Sequence, residues 1–311
     1  MWSPSELSEA DFRHLHRHLR AKAPGGASRR GALDTIGEEQ VLAAAREVRT
    51  GRTVSLAAPV ETRTGPDSAD PARHWLTAPA DGHPGSNGLE FAMDRFAMNI
   101  HGDVDSHLDA LCHVVYDGTL YGGVPAADAL SPDGASALSV DLARDGIAGR
   151  GVLLDIPRLH GVPWLEPGTN VSGEDLSAAE ARQGVRVGRG DILLVRVGHR
   201  RRREELGPWD VADARAGLHP TAMEFLAERE VAVLGSDGNS DTAPSAVRGI
   251  AFPVHALAMH AMGLQMLDYL RFEDLLAPLC AQEGRWSFLC VIAPLRLPAA
   301  TGSPVNPLAI L

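Results

Sequence analysis

Two imidazoles and one carboxylate fall within seven residues of this chain, in the segment Ser106-His107-Leu108-Asp109-Ala110-Leu111-Cys112-His113. Histidine and aspartate are preferred ligands of Zn²⁺, Mn²⁺ and related divalent ions. His107 and Asp109 are two positions apart, so an extended backbone projects both from one face. Asp109 and His113 are four apart, the separation that brings side chains together across one helical turn. A strand or loop running into such a turn would aim all three at one point. On these residues alone a metal site and a set of hydrogen-bonded core histidines both fit.

Other ways of doing chemistry are weaker. The sequence has no Gly-x-Ser-x-Gly elbow, which disfavours a serine nucleophile on an α/β-hydrolase sheet. Cys112 adjoins His113, but neighbours on a strand point to opposite faces, so a buried structural cysteine is favoured. Gly235-Ser236-Asp237-Gly238-Asn239 follows an apolar run and reads as a turn. His14, His16 and His18 with Arg13, Arg17 and Arg20 read as a solvated helix face. Arg200 to Arg203, followed by Glu204-Glu205, reads as a solvent loop.

The elements that must position the ligands alternate in type. A helix is expected over 5–22, opened by Ser8 with Asp11 and buried along Phe12, Leu15 and Leu19. Residues 23–33 read as a linker. A second helix is expected over 38–49, with Val41, Leu42, Ala45 and Val48 as its buried stripe and Gly51 as its stop. A strand begins at Thr53, and residues 60–88, rich in Pro, Gly, Asp and Thr, read as a long loop of the kind that covers binding sites. Strands at 151–156, 191–197, 231–234 and 286–293 interleave with helices at 173–183, 221–229 and 254–262. That alternation predicts an α/β domain with parallel strands. The division expected is an N-terminal helix and linker, 1–34, and one main domain, 35–311.

Composition narrows the function further. The chain has 311 residues, 44% hydrophobic, enough for a large core. Its net charge of −11 argues against a nucleic-acid partner. No apolar run is long enough for a membrane span, and from the opening Met1-Trp2-Ser3-Pro4 and the charged stretch after it no secretory signal is expected. Three cysteines, Cys112, Cys280 and Cys290, form no framework, so a cytoplasmic setting is expected.

The run from Asn99-Ile100-His101-Gly102 through His107-Leu108-Asp109-Ala110-Leu111-Cys112-His113 to Tyr116-Asp117-Gly118 and Tyr121-Gly122-Gly123 resembles a cyclase family. That family includes bacterial kynurenine formamidases and isatin hydrolase, and its signature is His-x-Gly-Thr-His-x-Asp-x-Pro-x-His. Gly151–Asp155, Gly190–Arg196, Ala232–Asp237, Pro253-Val254-His255 and Thr301–Pro307 are similar to later family motifs, in the same order. The resemblance implies a swivelling-type mixed β-sheet flanked by helices, and a homodimer or homotetramer. It implies a divalent metal, zinc or manganese, on His107, Asp109 and His113, with His255 and Asp268 contributing to a second position. Asp268 stands where the family has glutamate.

The signature is altered at its first position, which is Asp103 here, while its glycine is Asp105, its threonine Ser106 and its proline Leu111. Asp103 can ligate the ion or orient a histidine, and His101 can take the missing place through a shifted backbone. The formamidases' histidine after the signature is Tyr116. The expected activity is hydrolysis of an amide, lactam or lactone of a small carbonyl compound, with His255, Tyr116 or Asp103 in catalytic roles. The alternatives are a biosynthetic cyclase or lyase using the ion as Lewis acid, and a non-catalytic relative.

Overall fold

The unbroken apolar runs of the central sequence become inner strands of one nine-stranded sheet. In chain order its strands are β1 (Thr53–Ser55), β2 (His107–Asp109), β3 (Ile147–Asp155), β4 (Ile192–Arg196), β5 (Val233–Ser236), β6 (Gln265–Asp268), β7 (Ser287–Ile292), β8 (Gly302–Pro304) and β9 (Leu308–Ile310). Their spatial order is β1-β9-β7-β3-β4-β5-β6-β2-β8. The neighbours β3, β4, β5 and β6 run parallel. Residues such as Leu153, Leu194 and Leu234 are fully buried there. Helices cover both faces of such strands, so they read as continuous apolar runs rather than as alternation. The remaining pairings are antiparallel.

This computed structural model describes residues 6–24, 28–78, 91–273 and 276–311. The opening Met1–Pro4, Gly25-Gly26 of the expected linker and residues 79–88 of the expected long loop lie outside the described residues.

The sheet curls until its ends meet. Strands β8 and β9 are adjacent in sequence yet belong to opposite ends of the strand order. The continuation of β1 closes the gap: Leu56 donates its amide to the Pro307 carbonyl, and Arg271, just past β6, donates to Leu56. The two shortest chemistry-bearing strands, β2 and β8, are thereby held at a seam.

Helix α1 (Glu9–Ala21) starts in the expected capping box of Ser8 and Asp11. Phe12 and Leu19 are fully buried, so this helix shares one core with residues 35–311. The expected solvated histidine face needs a correction at His16, which is buried and 2.9 Å from the His260 ring. His260 in turn meets the Thr119 hydroxyl at 3.0 Å. The helix α2 (Glu38–Ala45) is shorter than expected and rotated. Ala44 is buried while Leu42 is 62% exposed, because the helix turns its Ala44 face toward β3.

Two loop expectations are also corrected. Within 60–88, Arg73–Ala78 forms a hairpin strand paired with Met93–Ala97, because Trp75, Leu76 and Thr77 favour strand despite their turn-rich flanks. The arginine run forms the helix α4 (His199–Leu206), the helix Gly173–Gln183 being α3. Arg200 is buried, giving its guanidinium to the carbonyls of Val104, Tyr269 and Leu270. Arg202 stacks on Trp209, and Arg203 pairs with Asp67 and Glu61. Among the described residues no helix is long and apolar enough to cross a membrane.

The His16–His260 contact makes stability depend on pH. Burial, then the neighbouring His260 and Arg20, lower His16 to about 4, and burial lowers His260 as well. A histidine held neutral in the fold contributes fully above its unfolded value near 6.5. That contribution is lost as pH falls from about 6.5 towards 4. Thermal melts should show His16→Gln losing less Tm than the parent between pH 7.5 and pH 5. Equal losses in the two proteins would contradict this assignment.

Candidate metal centre

The ligand segment is a strand running into a turn. The two-residue spacing of β2 puts His107 and Asp109 on one face, and the antiparallel register sets Asp268 of β6 opposite His107. The chain then turns at once, with the His113 amide bonded to the Ala110 carbonyl at 2.8 Å, which brings His113 back over Asp109. A tight turn thus replaces the helical turn that the spacing suggested.

His101 completes the arrangement from the other side. Its Nδ1 lies 2.7 Å from Asp109 Oδ1, and its ring stacks on His113 at 3.7 Å and 7°. Strand β8 makes room for it. A Cβ on Gly302 would stand 2.7 Å from the His101 ring, and the Thr301 hydroxyl holds His101 Nε2 at 2.8 Å. The Thr301-Gly302 pair therefore locks a histidine that lies eight residues before Asp109.

Two potential ligand groups result, and they share one carboxylate. His101, Asp109 and His113 form the first; His107, Asp109 and Asp268 form the second. His107, Asp109 and Asp268 are all buried. His107 Nδ1 is 2.7 Å from the Asp105 carbonyl, to which it donates, leaving the Nε2 lone pair for the group. Asp268 Oδ2 is buried and makes no hydrogen bond of good geometry among the described residues, the His255 ring standing 3.4 Å away. An oxygen in that state suits a cation, and these nitrogen and oxygen donors suit a borderline or hard divalent ion. The residues present therefore fit a divalent metal.

Behind the groups stands a dyad that spacing alone does not reveal. Asp241, fully buried, accepts the amides of Val254 and His255 at 2.6 and 3.0 Å and meets His255 Nδ1 at 2.5 Å. It caps the helical segment Pro253–Met262 and orients the ring on it in one stroke. His255 Nε2 then faces Asp268 Oδ2 at 3.4 Å and Asp109 Oδ2 at 3.7 Å.

Electrostatics follow the geometry. Burial alone would raise Asp109, but His107, His101, His255 and His113 together hold it well below the usual carboxylate range. Burial alone would lower His255, yet the carboxylates of Asp109, Asp241 and Asp268 beside it raise it well above the usual imidazole value. His113 is pushed down to about 4, chiefly by burial, and so stands ready as a neutral ligand.

The other candidates take different places. Asp103 is exposed and accepts the Tyr269 hydroxyl at 3.0 Å; it belongs to neither ligand group. Tyr116 packs against Phe12, His16 and His260, and its buried hydroxyl finds no partner among the described residues. Asp237 spends both oxygens on the amides of Val197 and Gly198. Cys112 is buried and its thiol is raised to about 11 by burial, so it is no thiolate nucleophile.

Residues 39–241 match the family model described as "Putative cyclase". The chain belongs to this cyclase family. A crystal structure described as a novel cyclase is 31% identical, covers 91% of this chain and 94% of its own, and superposes with a TM-score of 0.81. An isatin hydrolase bound to the product analogue thioisatinate is 19% identical over 89% of this chain and 99% of its own, TM-score 0.57. Isatin hydrolase A from Labrenzia aggregata, bound to benzyl benzoate, is 21% identical over 87% and 97%, TM-score 0.56. These two more distant likenesses share the fold. No curated protein matches the sequence.

Proposed function

We propose that this protein is a metal-dependent hydrolase that opens an amide, lactam or lactone of a small carbonyl compound. The observation that carries the reading is the meeting of two ligand groups at Asp109. His107, Asp109 and Asp268 would hold one divalent ion, zinc or manganese, and His101, Asp109 and His113 offer a second position. An ion held there supplies Lewis acidity to a carbonyl oxygen and lowers the pKa of a water molecule. Structures of like fold named isatin hydrolase support this reaction class.

The chain's own residues do the rest. Asp241 fixes the His255 ring through Nδ1, so that Nε2 points toward Asp109 and Asp268. His255 can therefore hold a proton at Nε2 and release it to the leaving nitrogen or oxygen. That role is preferred to ligation, because His255 Nε2 is already shared between Asp109 and Asp268. The family-based expectation of a homodimer or homotetramer is retained; exposed Trp75, Leu76 and Met93 on the hairpin support it.

Turnover of an aryl formamide, lactam and lactone panel in ¹⁸O-water, with zinc or manganese supplied, tests the reading. We expect one solvent oxygen in the product. Asp241→Asn should lower kcat about ten- to a hundredfold with little change in KM, as expected for a residue that orients another. Metal-loaded protein that turns over no member would remove the hydrolase reading. The family description favours one second reading, a cyclase or lyase using the ion as Lewis acid. Turnover without solvent oxygen in the product would select it.

A further inference from the structure

Beside the ligand strand lies a cavity of about 650 Å³ to which the reaction above assigns no role. Val60, Phe96, Met98, Leu295 and Val305 give it an apolar lining, Ser55, Ser106 and Asn306 add neutral polar groups, and Asp105 is the one charged residue in it among the described residues. Asp105 is only 7% exposed. Its Oδ1 accepts the Glu61 amide at 2.8 Å, and Oδ2 has no partner among the described residues. The nearby Arg200 does not neutralise it by contact, since that guanidinium bonds to the carbonyls of Val104, Tyr269 and Leu270. A carboxylate oxygen open to the cavity can accept a hydrogen bond from a donor that arrives there.

The cavity also adjoins the candidate centre. The Asp105 carbonyl holds His107 Nδ1 at 2.7 Å, and Pro304, which pairs with His107 across β2 and β8, lines the cavity. We propose that the cavity binds the non-reacting end of the substrate, an apolar body carrying an ammonium group seated on Asp105. The volume accommodates a single small molecule of aromatic size. Apolar contact supplies affinity, and the carboxylate selects a cation over a neutral or anionic isostere. Naming the occupant as substrate rests on the hydrolase reading; the cavity and its selectivity do not.

Calorimetric titration of the full chain, stripped of metal with EDTA and dialysed, tests this with benzylamine, benzyl alcohol and benzoate. Stripping ensures that no amine is bound through an ion. Benzylamine should bind saturably, about tenfold tighter than benzyl alcohol, and benzoate should not bind. Asp105→Asn should weaken benzylamine about tenfold while leaving benzyl alcohol within about twofold. Should that variant fail to fold, Val60→Trp, which fills the cavity, should abolish binding of both. No saturable binding to the parent, or benzylamine affinity unchanged by either substitution, would overturn the proposal. Turnover of the panel alongside such a failure would leave the hydrolase reading standing, and binding without turnover would do the reverse.

Discussion

Asp109→Ala should leave a folded protein that holds no stoichiometric metal and has lost at least about a thousandfold in turnover. Asp109 is the one residue common to both ligand groups, so its removal opens both together. It also carries the charge that His101, His107 and His255 face at 2.7 to 3.7 Å. Loss of Lewis-acid catalysis forfeits several kcal/mol at the transition state, and each 1.4 kcal/mol is about tenfold in rate. The isosteric Asp109→Asn should show the same loss of metal with less effect on thermal stability, because it keeps the packing of β2 against β6 and β8. Metal analysis with circular dichroism of the same samples checks both statements. Full metal content in either variant would show that the carboxylate is structural.

His101→Ala and Asp103→Asn should behave oppositely. His101 stacks on His113, meets Asp109 and is locked by Thr301 over Gly302. Its loss should lower metal stoichiometry and cut turnover about a hundredfold, the scale expected when one ligand of a set is removed. Asp103, exposed and bonded among the described residues only to the Tyr269 hydroxyl, should tolerate asparagine within about threefold. Metal titration and turnover of the two variants, side by side, read the difference. The reverse ranking would place the altered first signature position, not His101, at the centre.

These two residues also show how far sequence reasoning reaches. The shared face of His107 and Asp109 follows from strand periodicity, and the structure realises it in a strand of only three residues. The α/β class follows from the apolar runs at 151–156, 191–197 and 231–234, which are parallel strands because both their faces are buried. Spacing could not choose between Asp103 and His101. The choice is made by β8, whose Gly302 arrives from two hundred residues downstream to leave space for a ring. The visible hint was a histidine two positions before an aberrant signature residue, together with the distant Thr301-Gly302 pair.

Asp241 was out of reach for a related reason. An aspartate fourteen residues before a histidine has no local geometry; only the fold places it at the helix start beneath His255. Arg200 misled through composition. A run of four arginines before two glutamates looks solvated, and three of its members are, in fact, fixed by carbonyls, an indole and carboxylates. The stripe of α2 failed because Val41, Leu42, Ala45 and Val48 fit a helical face as well as the face around Ala44 does, and packing against β3 decides between them. His16 escaped notice because a buried neutral imidazole requires a partner, and its partner, His260, lies 244 residues away.

The most direct test is a crystal of the full chain grown with zinc or manganese and measured on both sides of the metal's absorption edge. The account predicts an anomalous peak within coordination distance of His107, Asp109 and Asp268, with any second peak bounded by His101, Asp109 and His113. Well-ordered side chains at these positions with no anomalous peak between them, at saturating metal, would contradict it.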